Sequence, residues 1–219
     1  MKIRKNFIIS GVLFLLFLLF TILVMKVDVQ PIGPQQSTVG LASINQFVNE
    51  KFGVHLIWYN ITDVLGDVAI LVALGLGALG IVQLIKRKSL LKIDMDIILL
   101  GIYYVIVIAI YVFFEIFIVN YRPIIIDRSL EASFPSSHTL LILCIMITAM
   151  LQLHKRIKNI RLRFIVQGMS IGVIVVTILG RLISGVHWVT DIVAGIILAS
   201  ALITLYYSII KVVEQKEED

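Results

Sequence analysis

Six long apolar runs, at approximately 7–25, 62–85, 97–119, 136–153, 164–183 and 188–210, are separated by shorter polar or mixed connections. About 18 or more apolar residues make a helix roughly 30 Å long, the thickness of a bilayer's hydrocarbon core. The pattern therefore predicts an all-α membrane bundle of six transmembrane helices. The first run follows Lys2, Arg4 and Lys5 as a signal peptide's would, but its core is too long and Met25-Lys26-Val27 offers no small-residue cleavage site. It is expected to stay as the first span. Gly75, Gly77 and Gly80 in the second run are small enough to let a neighbouring membrane helix approach closely. There is no internal repeat and no low-complexity segment.

Composition agrees with this reading and excludes others. Of the 219 residues, 59% are hydrophobic and 15% charged, against about 45–50% and 25% in soluble proteins. Such an excess of apolar surface does not fit inside a soluble core. Disorder, a disulfide scaffold and a soluble nucleic-acid binder are excluded, and the lone Cys144 can form no internal disulfide. Residues 1–210 read as one six-span domain and 211–219 as a short cytoplasmic tail.

The net charge of +5 is distributed unevenly. The N-terminus, the 86–96 and 154–163 loops and the C-terminus hold fourteen of the nineteen Lys and Arg residues, leaving Lys26, Lys51, Arg122, Arg128 and Arg181 for the other face. By the positive-inside rule both termini are expected in the cytoplasm, with connections 26–61, 120–135 and 184–187 outside. Trp58 and Tyr59 are then read as interfacial anchors, and His55 as an ordinary interfacial polar residue.

Polar residues gather at the outer ends of spans three to six: Glu115, Arg122-Pro123, Pro135-Ser136-Ser137-His138, Arg181, His187 and Asp191. Pro135 suits a helix's first turn, where a missing N–H costs nothing, leaving the N–H groups of Ser136, Ser137 and His138 to form an anion site. Arg122 and Arg181 supply guanidinium forks that match phosphate oxygens. His187 and Asp191, four apart at the start of the sixth span, are expected to share one helix face. The carboxylate is then expected to hold the Nδ1 proton of His187 and free Nε2 as nucleophile or base. A metal held by His138, His187 and Asp191 is disfavoured, because the neighbouring arginines repel a cation.

These motifs resemble those of the type 2 phosphatidic acid phosphatase (PAP2) family of membrane lipid phosphatases, related in fold to vanadium haloperoxidases. The family's K-x6-R-P, P-S-G-H and S-R-x5-H-x3-D signatures appear as Glu115-x6-Arg122-Pro123, Pro135-Ser136-Ser137-His138 and Gly180-Arg181-x5-His187-x3-Asp191. The resemblance implies His187 as a nucleophile forming a phosphohistidine, Asp191 orienting it, and His138 as the acid and then the base. Arg122 and Arg181, with Ser136 and Ser137, would bind phosphate. It implies no metal and no cofactor, a lipid phosphate substrate in the membrane, no nucleic acid and no obligatory protein partner.

Three positions depart from the family pattern. Ser137 replaces a glycine, Gly180 a serine and Glu115 a lysine. Glu115, two helical turns before Arg122, is expected to pair with it, and Gly180 and Gly185 are read as chain-turning residues. The motifs imply hydrolysis of a phospholipid or isoprenoid (di)phosphate at the outer face. Two other classes stay open: phosphoryl transfer to an acceptor other than water, and a non-catalytic lipid-binding or transport protein on the same scaffold.

Overall fold

The computed structural model describes residues 2–126 and 128–218. Its helices are α1 (Lys2–Lys26), α2 (Ala42–Phe52), α3 (Leu56–Arg87), α4 (Met95–Ile116), α5 (Ser137–Arg156), α6 (Ile160–Ser184) and α7 (Val189–Glu218), with short 3₁₀ turns at Pro34–Gln36 and Leu90–Lys92. All except α2 are long and apolar enough to cross a membrane, so the six expected spans are present and the chain is a multi-pass membrane protein. α7 continues past Lys211, and Glu214 on that extension pairs with Lys155 and Lys211.

α5 and α7 form the centre. α1 packs along α7, α3 and α6 flank α5, and α4 touches α3, α5 and α7. The core between them includes Leu140, Leu143, Cys144, Ala194, Leu198 and Leu202, all buried. Apolar side chains such as Leu15, Leu19, Leu71, Leu74, Val105 and Phe164 point outward, as lipid-facing positions require. Small residues let backbones meet, and polar side chains join helices where both ends find partners. Ser10 donates to the carbonyl of Ala201 at 3.0 Å, and the hydroxyls of Tyr104 and Thr148 lie 3.0 Å apart.

The spans alternate in direction, so both termini lie at one end and the connections 27–55, 117–136 and 185–188 at the other. At the terminal end, Arg156 grips both oxygens of Asp96 at 2.9 and 3.1 Å. At the far end, α2 folds over the bundle. Asn45, fully buried, donates to the carbonyl of Gly40 at 2.8 Å and to Thr190 Oγ1 at 3.0 Å, and accepts from Thr190 N. Gly185 closes α6 in a left-handed conformation, φ +67°, where a Cβ would stand 2.4 Å from the carbonyl oxygen of Gly53. Only glycine satisfies both the torsion and the contact.

Candidate active site

The far end collects the polar residues. The 185–188 connection is buried, and His187 within it is 3% exposed. Its Nδ1 lies 3.0 Å from Ser133 Oγ and 3.1 Å from the Ser133 carbonyl. Nε2 is buried without a protein partner. Burial, with the Arg122 and Arg181 guanidiniums nearby, holds this imidazole below its usual titration range. It is therefore neutral at pH 7, the form in which Nε2 carries a lone pair.

Asp191 does not hold His187 directly. α7 begins only at Val189, so His187 and Asp191 do not share a helical face, and Asp191 Oδ2 stands 3.8 Å from Nδ1. That oxygen accepts from Ser133 Oγ at 2.5 Å and from the Trp188 N–H at 2.9 Å, while Oδ1 accepts from Asn120 Nδ2 at 3.3 Å. Ser133 is the intermediary between carboxylate and imidazole. The 117–136 connection that carries it is braced by a bridge between Tyr121 and Ala132, by Ser133 N to the Asn120 carbonyl at 2.9 Å, and by Trp188 Nε1 to the Tyr121 carbonyl at 2.8 Å.

Arg122 meets Glu131, not Glu115. α4 ends at Ile116, so the helical spacing that would bring position 115 over 122 no longer applies. Glu131 Oε2 lies 3.0 Å from Arg122 Nε, off the donor direction, so Nε and Nη1 keep no directed hydrogen bond. Glu115 instead lines a small cleft with Tyr111, Ser133, Pro135 and Ser137.

Pro135 stands one residue before the cap of α5, which is Ser136, and not in the first turn. The Ser136 N–H, expected to be free, donates to the Asp191 carbonyl at 2.9 Å, and its hydroxyl accepts from Thr139 at 3.0 Å. Ser136 thus joins α5 to α7. Ser137 and His138 open α5 beside a groove of about 450 Å³ that Tyr59, Asp63, Gly66, Asp67 and Tyr111 also line.

Arg181 is fully buried. One Nη2–H goes to Asp63 Oδ1 at 2.5 Å, while Nε and Nη1 have no partner. Its Cζ sits 5.0 Å from the ring centre of Tyr59, so this tyrosine is a stacking partner of the site and not merely an interfacial anchor. Gly180 lies within α6 and turns nothing. A Cβ there would meet Thr62 Cγ2 at 2.5 Å and Trp58 Cε3 at 3.3 Å, so the glycine admits α3 to close contact.

Sequence reasoning passed over Asp63, Ser133, Asn120 and Glu131. Asp63 carried a usable signal, a carboxylate in an apolar span. The other three lie in loops with no spacing rule. Among the described residues no group of three or more His, Cys, Asp or Glu is arranged to hold a metal.

The arrangement presents a neutral imidazole nitrogen with no protein partner, two guanidiniums with buried, unused N–H groups, and a second histidine. Those are the parts of a phosphoryl-transfer site. A crystal structure of a transmembrane PAP2-type phosphatidylglycerolphosphate phosphatase from Bacillus subtilis superposes with TM-score 0.65 over 92% of this chain and 96% of that one, at 18% identity, a likeness of fold. No curated protein matches this chain. The PAP2 superfamily model matches residues 113–214, the stretch that carries Glu115, Arg122, Ser133, His138, Arg181, His187 and Asp191. That stretch of this six-span membrane protein is thus similar to the PAP2 superfamily.

Proposed function

We propose that the protein is a lipid phosphate phosphatase working at the extracytoplasmic face through a phosphohistidine on His187. The observation that carries this reading is the unpartnered Nε2 of His187, its other nitrogen fixed by Ser133, among the unused N–H groups of Arg122 and Arg181. Nε2 attacks phosphorus, the bond to the leaving oxygen breaks, and His138 gives that oxygen a proton. Water then attacks phosphorus, His138 takes its proton, and the P–N bond breaks to release inorganic phosphate. The arginines hold the equatorial oxygens throughout. No step requires a metal ion.

A lipid substrate is favoured by the continuation of the groove. Below the polar pocket, Ile70, Tyr111, Leu141 and Ile145 are shared with an adjoining, almost wholly apolar cleft of about 390 Å³ that reaches Leu74 and Ile108. A head at His138 therefore leaves room for a chain beside α3 and α4. The distribution of Lys and Arg favours the outer leaflet.

Phosphate release by protein purified in detergent, measured with EDTA across phosphatidic acid, phosphatidylglycerol phosphate and isoprenoid diphosphates, is the test. Turnover is expected in EDTA and none from His187→Ala. Activity that vanishes with EDTA and returns with a divalent ion rules the mechanism out. Turnover that depends on an added alcohol acceptor marks a phosphotransferase instead.

A further inference from the structure

Asp63, on α3 and outside the stretch matched to the superfamily, makes two contacts through one oxygen. Oδ1 lies 3.0 Å from His138 Nε2 and 2.5 Å from Arg181 Nη2. The imidazole edge that carries Nε2 and Cδ2 faces α3 at Gly66, where a Cβ would come within 3.2 and 3.0 Å of those atoms. His138 Nδ1 is buried with no protein partner. We propose that Asp63 is a positioning residue of the phosphatase site, setting the tautomer of His138 while leaving Nε and Nη1 of Arg181 for phosphate. This assignment rests on the hydrolase reading above.

The argument is one of charge and geometry. The Asp63 carboxylate 3.0 Å from Nε2 favours the hydrogen on that nitrogen, so Nδ1 is the nitrogen that works. As an imidazolium, His138 keeps Nε2–H on Asp63 and delivers the Nδ1 proton to the oxygen leaving phosphorus. The neutral ring left behind has its lone pair on Nδ1, ready for the proton of the attacking water. No tautomer change is needed between the two half-reactions. The groups nearest His138 include Asp63 and Tyr59 on α3, Arg181 on α6, Arg122 in the 117–136 connection and His187. Two guanidiniums oppose a third positive charge there, and Asp63 counters them only in part. The same carboxylate occupies only Nη2 of Arg181, leaving Nε and Nη1 for phosphate oxygens.

Asp63→Asn tests this in single turnover with two esters, an alkyl lipid phosphate and p-nitrophenyl phosphate, whose leaving group needs no protonation. General acids contribute about 10²–10⁴-fold, so the variant should lose at least about tenfold on the alkyl ester and less than about threefold on the nitrophenyl ester. Vanadate, which needs the arginines but no acid, should inhibit as strongly or more strongly, because Arg181 is released. In a His138→Gln background, Asp63→Asn should add little further loss on the alkyl ester. Equal losses on both esters together with weaker vanadate inhibition show a merely structural role and overturn the proposal. If Asp63→Asn does not accumulate, Asp63→Glu keeps the charge and should retain the wild-type ratio between the esters, and an altered ratio refutes the assignment. A wild-type protein that releases no phosphate from any ester refutes the hydrolase reading and this assignment with it, whereas an active wild type with an indifferent Asp63 refutes the assignment alone.

Discussion

At the residue scale the site is organised by short side chains that relay between charged ones. Ser133 donates to Asp191 while its oxygens face His187 Nδ1. Removing the hydroxyl takes away the contact through which the carboxylate acts on His187, the proposed nucleophile. Ser133→Ala is expected to lower kcat on the preferred lipid by about tenfold or more with little change in KM, the pattern of an interaction used in the transition state. Combined with Asp191→Asn it should cost no more than the worse single change, since both break one chain. Additive losses would show that Asp191 reaches His187 by another route. Glu115 makes a separate prediction. It lines the cleft beside Ser137 and Ser133, within electrostatic reach of Arg122 and Glu131 but not paired with Arg122. Glu115→Lys puts a cation where an anion stood and should tighten vanadate inhibition by about tenfold, equivalent to 1.4 kcal/mol. Weaker inhibition would mark Glu115 as a contact for a positively charged part of the substrate.

Between elements, the α3–α6 crossing decides where Asp63 sits. Gly180 lets Thr62 and Trp58 press against α6, and Asp63, the next residue after Thr62, reaches Arg181. Restoring the family's serine at 180 drives a Cβ into Thr62 Cγ2, a branched side chain with little freedom to yield. Gly180→Ser is expected to destabilise by about 1–3 kcal/mol, read as a lower melting temperature in detergent. Thr62→Ser removes the obstructing methyl while keeping the hydroxyl that bonds the Trp58 carbonyl at 2.8 Å, so the double variant should regain most of that loss. A Gly180→Ser protein as stable as wild type would show that the helices separate at no cost.

At the scale of the whole molecule, the reaction's side of the membrane follows from which end holds the site. The connections around the site are poor in Lys and Arg, whereas the end bearing the termini is rich in them. Single cysteines at Ser129 and Lys158, both exposed, with Cys144→Ala, report the two ends. Lys158 is preferable to Asn159, whose side chain caps α6 by accepting from the N–H groups of Arg161 and Leu162. An impermeant thiol reagent applied to intact cells should label position 129 and spare 158. The reverse pattern would place the site in the cytoplasm.

Hydrophobic runs of bilayer length determined the six spans, because in lipid every backbone polar group must be satisfied within its own helix and run length alone reveals this. The motif residues His138, Arg181, His187 and Asp191 were legible for a related reason: charge and imidazole beside apolar runs stand out. α2 was not legible, being short and mixed in character, and neither was the end of α4 at Ile116, which separates Glu115 from Arg122. Only the tertiary structure decided that Ser133 stands between His187 and Asp191, that Glu131 meets Arg122, and that Asp63 joins Arg181 to His138. Each of these contacts links separate elements or a loop whose path no local periodicity encodes, and its partners come within hydrogen-bonding or ion-pair reach only once the helices have packed.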